Sequence, residues 1–128
     1  STFRLERVLL AGDAAHVNNP IGGMGLNGGL QDAANLSEKL ASILLDGASD
    51  RQLDLYDRQR RTVAIEFVQQ QSIDNKKRLE ARDPEIRARH LAELRDIAAD
   101  PSRARQFLLR TSMIASQRRA AAMRREDA

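Results

Sequence analysis

Gly12-Asp13-Ala14-Ala15-His16-Val17-Asn18-Asn19-Pro20-Ile21-Gly22-Gly23-Met24-Gly25-Leu26-Asn27-Gly28-Gly29 organises the whole chain, with five glycines between positions 22 and 29. Glycine tolerates positive φ and lets another group approach the backbone closely. Just before this stretch, Arg7-Val8-Leu9-Leu10-Ala11 is a short apolar run that reads as a buried strand. Just after it, Leu30, Ala33, Ala34, Leu40, Ala41 and Leu44 recur at helical spacing, and Gly47 sits where a helix should stop. The start of a helix carries unpaired N–H donors and partial positive charge. A glycine loop running into one is a cradle for an electron-rich or anionic ligand. The plain alternative is a surface loop. No Gly-Lys-Ser or Gly-Lys-Thr closes it, so it is not a phosphate-binding P-loop. Gly23, Gly25 and Gly28 match Gly-x-Gly-x-x-Gly, but eleven residues separate Ala11 from Gly23, too many for a dinucleotide fingerprint that follows its strand directly.

Outward from the loop the composition changes. All seven glycines lie within residues 1–47, and residues 48–128 have none. That second half reads as three helices. One covers Asp50–Ala81 with Leu53, Tyr56, Val63 and Phe67 on its apolar positions. The next carries Ile86, His90, Leu94, Ile97 and Ala98 on one face. The last carries Ala104, Phe107, Leu108, Thr111, Ile114 and Ala115. Asp83-Pro84 and Asp100-Pro101 are stop-and-restart junctions, with Asp as cap and Pro in the first helical position. The basic clusters Arg58, Arg60 and Arg61, then Lys76, Lys77 and Arg78, then Arg118, Arg119, Arg124 and Arg125 all have acids nearby and read as solvated helix faces, with contact to a pyridine-nucleotide phosphate or an acidic substrate as the alternative. His90 reads as a packing residue, Met24 as a gap-filler, and the charged tail after Met123 as frayed.

The bulk numbers bound the class. At 128 residues the chain is one domain or a piece of one. It is 41% apolar but only 3% aromatic, so aliphatic side chains must fill the core. A net charge of +3, from 21 basic and 18 acidic residues, argues against a nucleic-acid partner. There is no cysteine, which excludes disulfides and thiolate metal sites; no metal site is expected. No run is long and apolar enough to span a bilayer, and Glu6 interrupts any signal-like start. The abrupt beginning at Ser1 suggests a piece of a larger protein.

The run Arg7 to His16, then Pro20, then Gly22-Gly23-Met24-Gly25-Leu26-Asn27, then Gly29 to Leu36 and Lys39-Leu40-Ala41, resembles the single-component FAD-dependent aromatic monooxygenases, the para-hydroxybenzoate hydroxylase-like family. The resemblance implies an α/β parent fold, of which this chain is a mostly α piece: one short strand and about four helices. Residues 1–47 would be the C-terminal part of the FAD-binding domain and 48–128 a C-terminal helical region. It implies hydroxylation of a small aromatic substrate with NADH or NADPH and O2, through a flavin hydroperoxide. Asp13 would accept a hydrogen bond from a ribitol hydroxyl of FAD. Pro20 would lie beside the flavin and the substrate. Gly22, Gly23, Gly25, Leu26 and Asn27 would complete the cofactor site, with the helix starting near Gly28 aimed at the pyrimidine edge. His16 would hold the loop without acting as acid or base, and Asp32 and Asn35 would anchor the helix.

Within the same resemblance a flavoprotein reductase or halogenase stays open, since a shared loop does not fix the chemistry. So does a non-catalytic helical interaction module, because amphipathic helices can self-associate. The expected setting is cytoplasmic, with homo-oligomerisation left open. The family's N-terminal dinucleotide-binding segment is not in this sequence. The chain alone is therefore expected neither to hold FAD tightly nor to turn over, and its strand is expected to lack sheet neighbours.

Overall fold

The computed structural model describes residues 2–20 and 22–126, the side chains of Arg124, Arg125 and Glu126 excepted. It opens with an antiparallel hairpin of β1 (Arg4–Leu5) and β2 (Val8–Leu9), paired Arg4 to Leu9 and Leu5 to Val8. The turn works because Glu6 adopts a left-handed φ of 52°. The strand read from Arg7–Ala11 thus exists, shortened, and finds a neighbour inside the chain. Its burial differs from the expectation: Val8 is exposed, and the face that packs inward comes from Phe3 and Leu9.

A single 3-10 turn, Gly12–Ala14, leads toward α1 (Met24–Asp46). This helix begins six residues before Leu30, inside the glycine-rich run, with Gly23 at its start in left-handed conformation (φ 64°) and Gly47 ending it at φ 70°. Glycine inside a helix costs about 1 kcal/mol against alanine, so local preference points to a loop. Close approach offsets that cost. A side chain on Gly28 would meet the His16 ring at 3.3 Å, and one on Gly29 would meet the Gly12 backbone at 3.4 Å.

The helix expected over Asp50–Ala81 forms as α2 (Arg51–Val63), a π-helical stretch Ala64–Gln69, and α3 (Gln70–Glu80). Such widened turns re-aim the side chains that follow them. Here Gln71 and Ser72, just beyond the stretch, turn inward. Next come α4 (Pro84–Ala99), α5 (Pro101–Thr111) and α6 (Ile114–Glu126). Both Asp-Pro junctions behave as read. Asp83 accepts from Glu85 N–H at 2.8 Å, and Asp100 from Ser102 and Arg103 N–H at 2.8 and 3.1 Å. The expected last helix divides at Ser112 and Met113, where Met113 takes a φ of 62° while its side chain is buried. Helix α6 extends to Glu126. The expected solvation of Arg124 and Arg125, and the end of the tail, lie outside the described side chains and residues.

The core has two parts. Met24, Val63, Val68, Met113 and Ala120 join α1, α2, the π stretch and α6. Phe3, Tyr56 and Ala64, with Leu9, Ala15 and Leu36 against them, fasten the hairpin to α1 and α2. Met24 is a core residue, in line with its packing role. No helix among the described residues is long and apolar enough to cross a membrane.

Candidate functional site

The glycine loop is fixed from below by one carboxylate. Asp32, fully buried on α1, accepts from the Gly12 N–H at 2.9 Å, pairs with His16 Nε2 at 2.6 Å and accepts from Arg60 Nε at 2.5 Å. Arg60 also reaches the Gly28 carbonyl at 3.4 Å. Burial alone pushes the Asp32 carboxyl up. The hydrogen bonds from His16, Arg60 and Gly12, with the Arg60 charge, outweigh it and hold the carboxyl below its ordinary value. His16 is further pinned by stacking on Phe3 at 5.6 Å. Both the first turn of the loop and its far end therefore hang on Asp32, and His16 is built into the frame, as read.

Arg60 corrects the sequence reading. It is 1% exposed, not part of a solvated face. A basic cluster on a helix surface and one buried member of it look alike in sequence; only the buried carboxylate opposite, 28 residues away, distinguishes Arg60 from Arg58 and Arg61. Asn35 also anchors, donating to Gln59 Oε1 at 3.1 Å, while Gln59 donates to the Ala120 carbonyl at 2.6 Å and so ties α6 to the frame. Tyr56 donates its hydroxyl to the Leu10 carbonyl at 2.6 Å, locking the end of the hairpin.

On the upper side the loop is open. Asp13 is exposed on the 3-10 turn, and that turn packs on α1 through the close approach of Gly12 and Gly29. Pro20, Gly22 and Gly23 are exposed, and the Gly23 N–H donates to the Pro20 carbonyl at 3.1 Å, bringing Pro20 to the start of α1. Around Gly23 and Gly25 a methyl group would meet nothing within 4 Å. Leu26 and Asn27 are exposed in the first turn, and Asn27 donates back to the Gly23 carbonyl at 3.1 Å. Among the described residues no side chain caps the first N–H groups of α1, and no acidic residue stands in its first turn. His90 is partly buried on α4.

These features fit a flavin. The first N–H groups of a 23-residue helix, uncapped and beside bare glycine backbone, are the donor set an electron-rich ring edge needs. A carboxylate on the adjoining turn supplies an acceptor for hydroxyl groups. Among the described residues no cluster of His, Cys, Asp or Glu could hold a metal ion. A hollow of about 460 Å³ between Phe67, Ile97, Phe107 and Ala115 shares no residue with the loop.

The comparisons with known proteins agree. A family profile described as FAD binding domain matches residues 1–71. Para-nitrophenol 4-monooxygenase of Pseudomonas sp. (strain WBC-3) is 44% identical over 107 residues, 84% of this chain and 27% of that protein. Tetracenomycin B2 monooxygenase-dioxygenase of Streptomyces olivaceus is 46% identical over 98 residues, 77% of this chain and 18% of that protein. Among solved structures, p-nitrophenol 4-monooxygenase from Pseudomonas putida DLL-E4 superposes with a TM-score of 0.79 at 41% identity, covering 87% of this chain and 29% of that one. The chain thus spans less than a third of the length of these relatives. With the profile covering more than half of its residues and a solved relative superposing on most of it, the chain belongs to the FAD binding domain family.

Proposed function

We propose that this chain forms the flavin-ring side of the cofactor site in an FAD-dependent monooxygenase that hydroxylates a small aromatic substrate with NADH or NADPH and O2. The observation that carries the reading is the open, uncapped start of α1 beside bare glycine backbone, held rigidly from below by Asp32. The relatives' names, monooxygenases of nitrophenol and tetracenomycin, support the reaction class. When bound, FAD would supply the redox chemistry, passing two electrons from NADH or NADPH to O2 so that one oxygen atom enters the aromatic substrate and the other leaves as water.

The chain's own residues bind and orient. Asp13 accepts from a ribitol hydroxyl, because an ionised carboxylate is acceptor-only. The backbone of Gly22, Gly23, Gly25, Leu26 and Asn27 would line the ring edge, and the positive end of α1 would favour negative charge there. Pro20 lines the substrate side. In this proposal residues 1–47 carry the site and residues 48–128 buttress it.

The remaining part of the parent protein is the proposed neighbour of α1. Leu26, Leu30 and Leu44 share one side of that helix and are 76%, 61% and 76% exposed. Such a stripe on a soluble enzyme belongs against another surface. The chain by itself would accordingly neither hold FAD tightly nor turn over. A cytoplasmic setting is proposed because NADH and NADPH are supplied there, and a homo-oligomer is a further use of exposed apolar surface. Assay of the full-length protein for substrate-dependent NAD(P)H oxidation and hydroxylated product tests the reading. Oxidation with no oxygenated product moves the assignment to a reductase, and halide-dependent halogenated product moves it to a halogenase.

A further inference from the structure

We infer that α3 positions the substrate-side segment of the loop, and that Ser72 and Asn75 are its positioning residues. This rests on the flavin-site reading above. Pro20 is exposed on the open face, between Asn18 and Gly22 in sequence. Two contacts from α3 bracket that segment. The Ser72 hydroxyl, on a buried side chain, donates to Asn18 Oδ1 at 2.5 Å. The Asn75 side-chain amide sits against Gly22 so closely that a Cβ there would lie 2.6 Å from Nδ2. Gly22 has a φ of 98°, a conformation that other residues rarely adopt, so the backbone there is set for glycine beside the Asn75 amide.

The hold at Asn18 is single. Its amide nitrogen is buried with no hydrogen-bond partner among the described residues, so Ser72 supplies the contact that fixes the side chain. The π-helical stretch Ala64–Gln69 explains why Ser72 and Asn75 point there. It shifts the helical register immediately before α3, turning Gln71 and Ser72 inward. The helical region is thereby coupled to the site through a path separate from the Asp32 frame. Misplacement of a reacting partner by about 1 Å is enough to cost orders of magnitude in rate, so a two-point brace on the segment bearing Pro20 sets how well the bound ring is held.

The test uses the full-length protein and FAD as the probe, with the visible absorption spectrum and the FAD dissociation constant as readouts. Ser72→Ala is expected to weaken FAD binding about tenfold and to move the flavin bands toward those of free FAD, with an unchanged far-UV signal. Ser72→Thr, which keeps the hydroxyl, restores both. Asn18→Ala combined with Ser72→Ala is expected to do no more than either alone, since both remove one contact. A wild-type spectrum and affinity in Ser72→Ala, or additive losses in the double variant, overturn the pair. Should Ser72→Ala fail to fold, Asn75→Ala strands no buried group and reads the same signal, an unmoved spectrum again counting against the proposal. A wild-type protein that binds no FAD overturns the functional reading, and this inference with it; a flavin-bound wild type beside an indifferent Ser72→Ala overturns this inference alone.

Discussion

Arg60 on α2 donates through Nε to Oδ1 of Asp32 on α1 at 2.5 Å, and neither side chain meets solvent. The same carboxylate receives Gly12 and His16, so one buried pair fixes the hairpin, the loop and two helices at once. Removing one member of a buried pair leaves an uncompensated charge, a loss of about 3–5 kcal/mol. Arg60→Met should therefore destabilise the protein by that amount in urea titration, while Arg89→Met at an exposed position of α4 should change it by less than about 0.5 kcal/mol. Equal effects would refute the hub.

Asp32 also sets an acid limit. Its carboxyl is held below the ordinary value of 3.8. A depressed folded value contributes stability above the unfolded value, which is lost as pH falls through the folded one. Stability should decline as pH drops below about 4, and Asp32→Asn, less stable at neutral pH, should show a shallower decline. Melting temperature against pH for both proteins checks this.

Tyr56 sets the alkaline counterpart. Burial first, and the Asp32 charge second, push its phenol from 10.0 to about 12. A raised folded value gives stability that is complete below pH 10 and is lost as pH rises through the folded value. The loss approaches about 3 kcal/mol at about 1.4 kcal/mol per unit. Tyr56→Phe should abolish this slope and cost about 1 kcal/mol at neutral pH through the lost bond to Leu10.

Gly25 separates stability from binding. It lies inside α1 with open space around it. Gly25→Ala should raise helix stability by up to about 1 kcal/mol, yet weaken FAD binding in the full-length protein by placing a methyl on the cradle. A variant that is more stable and binds FAD as before would show that this surface is not the ring site.

Much of this frame was legible, for local reasons. Gly47 and the two Asp-Pro junctions end and restart helices by their own conformational limits. What escaped sequence reading is long-range. The start of α1 at Met24 depends on Gly28 and Gly29 packing against His16 and Gly12, which outweighs their poor helix propensity. The break at Met113 carries no glycine or proline; a buried methionine in left-handed conformation leaves no local sign. Arg60 shares its cluster's composition with exposed neighbours, and Ser72 meets Asn18 across 54 residues, beyond a π-helical stretch that the apolar pattern does not announce.

The most direct measurement is equilibrium FAD binding to the full-length protein and to its Asp13→Ala variant. The wild type is expected to bind stoichiometrically with a perturbed flavin spectrum. Asp13→Ala is expected to lose about 10–100-fold in affinity, as removal of a charged acceptor costs about 1.5–3 kcal/mol. Failure of the wild type to bind FAD, or an Asp13→Ala variant that binds it equally well, would contradict the assignment of this loop as the flavin site.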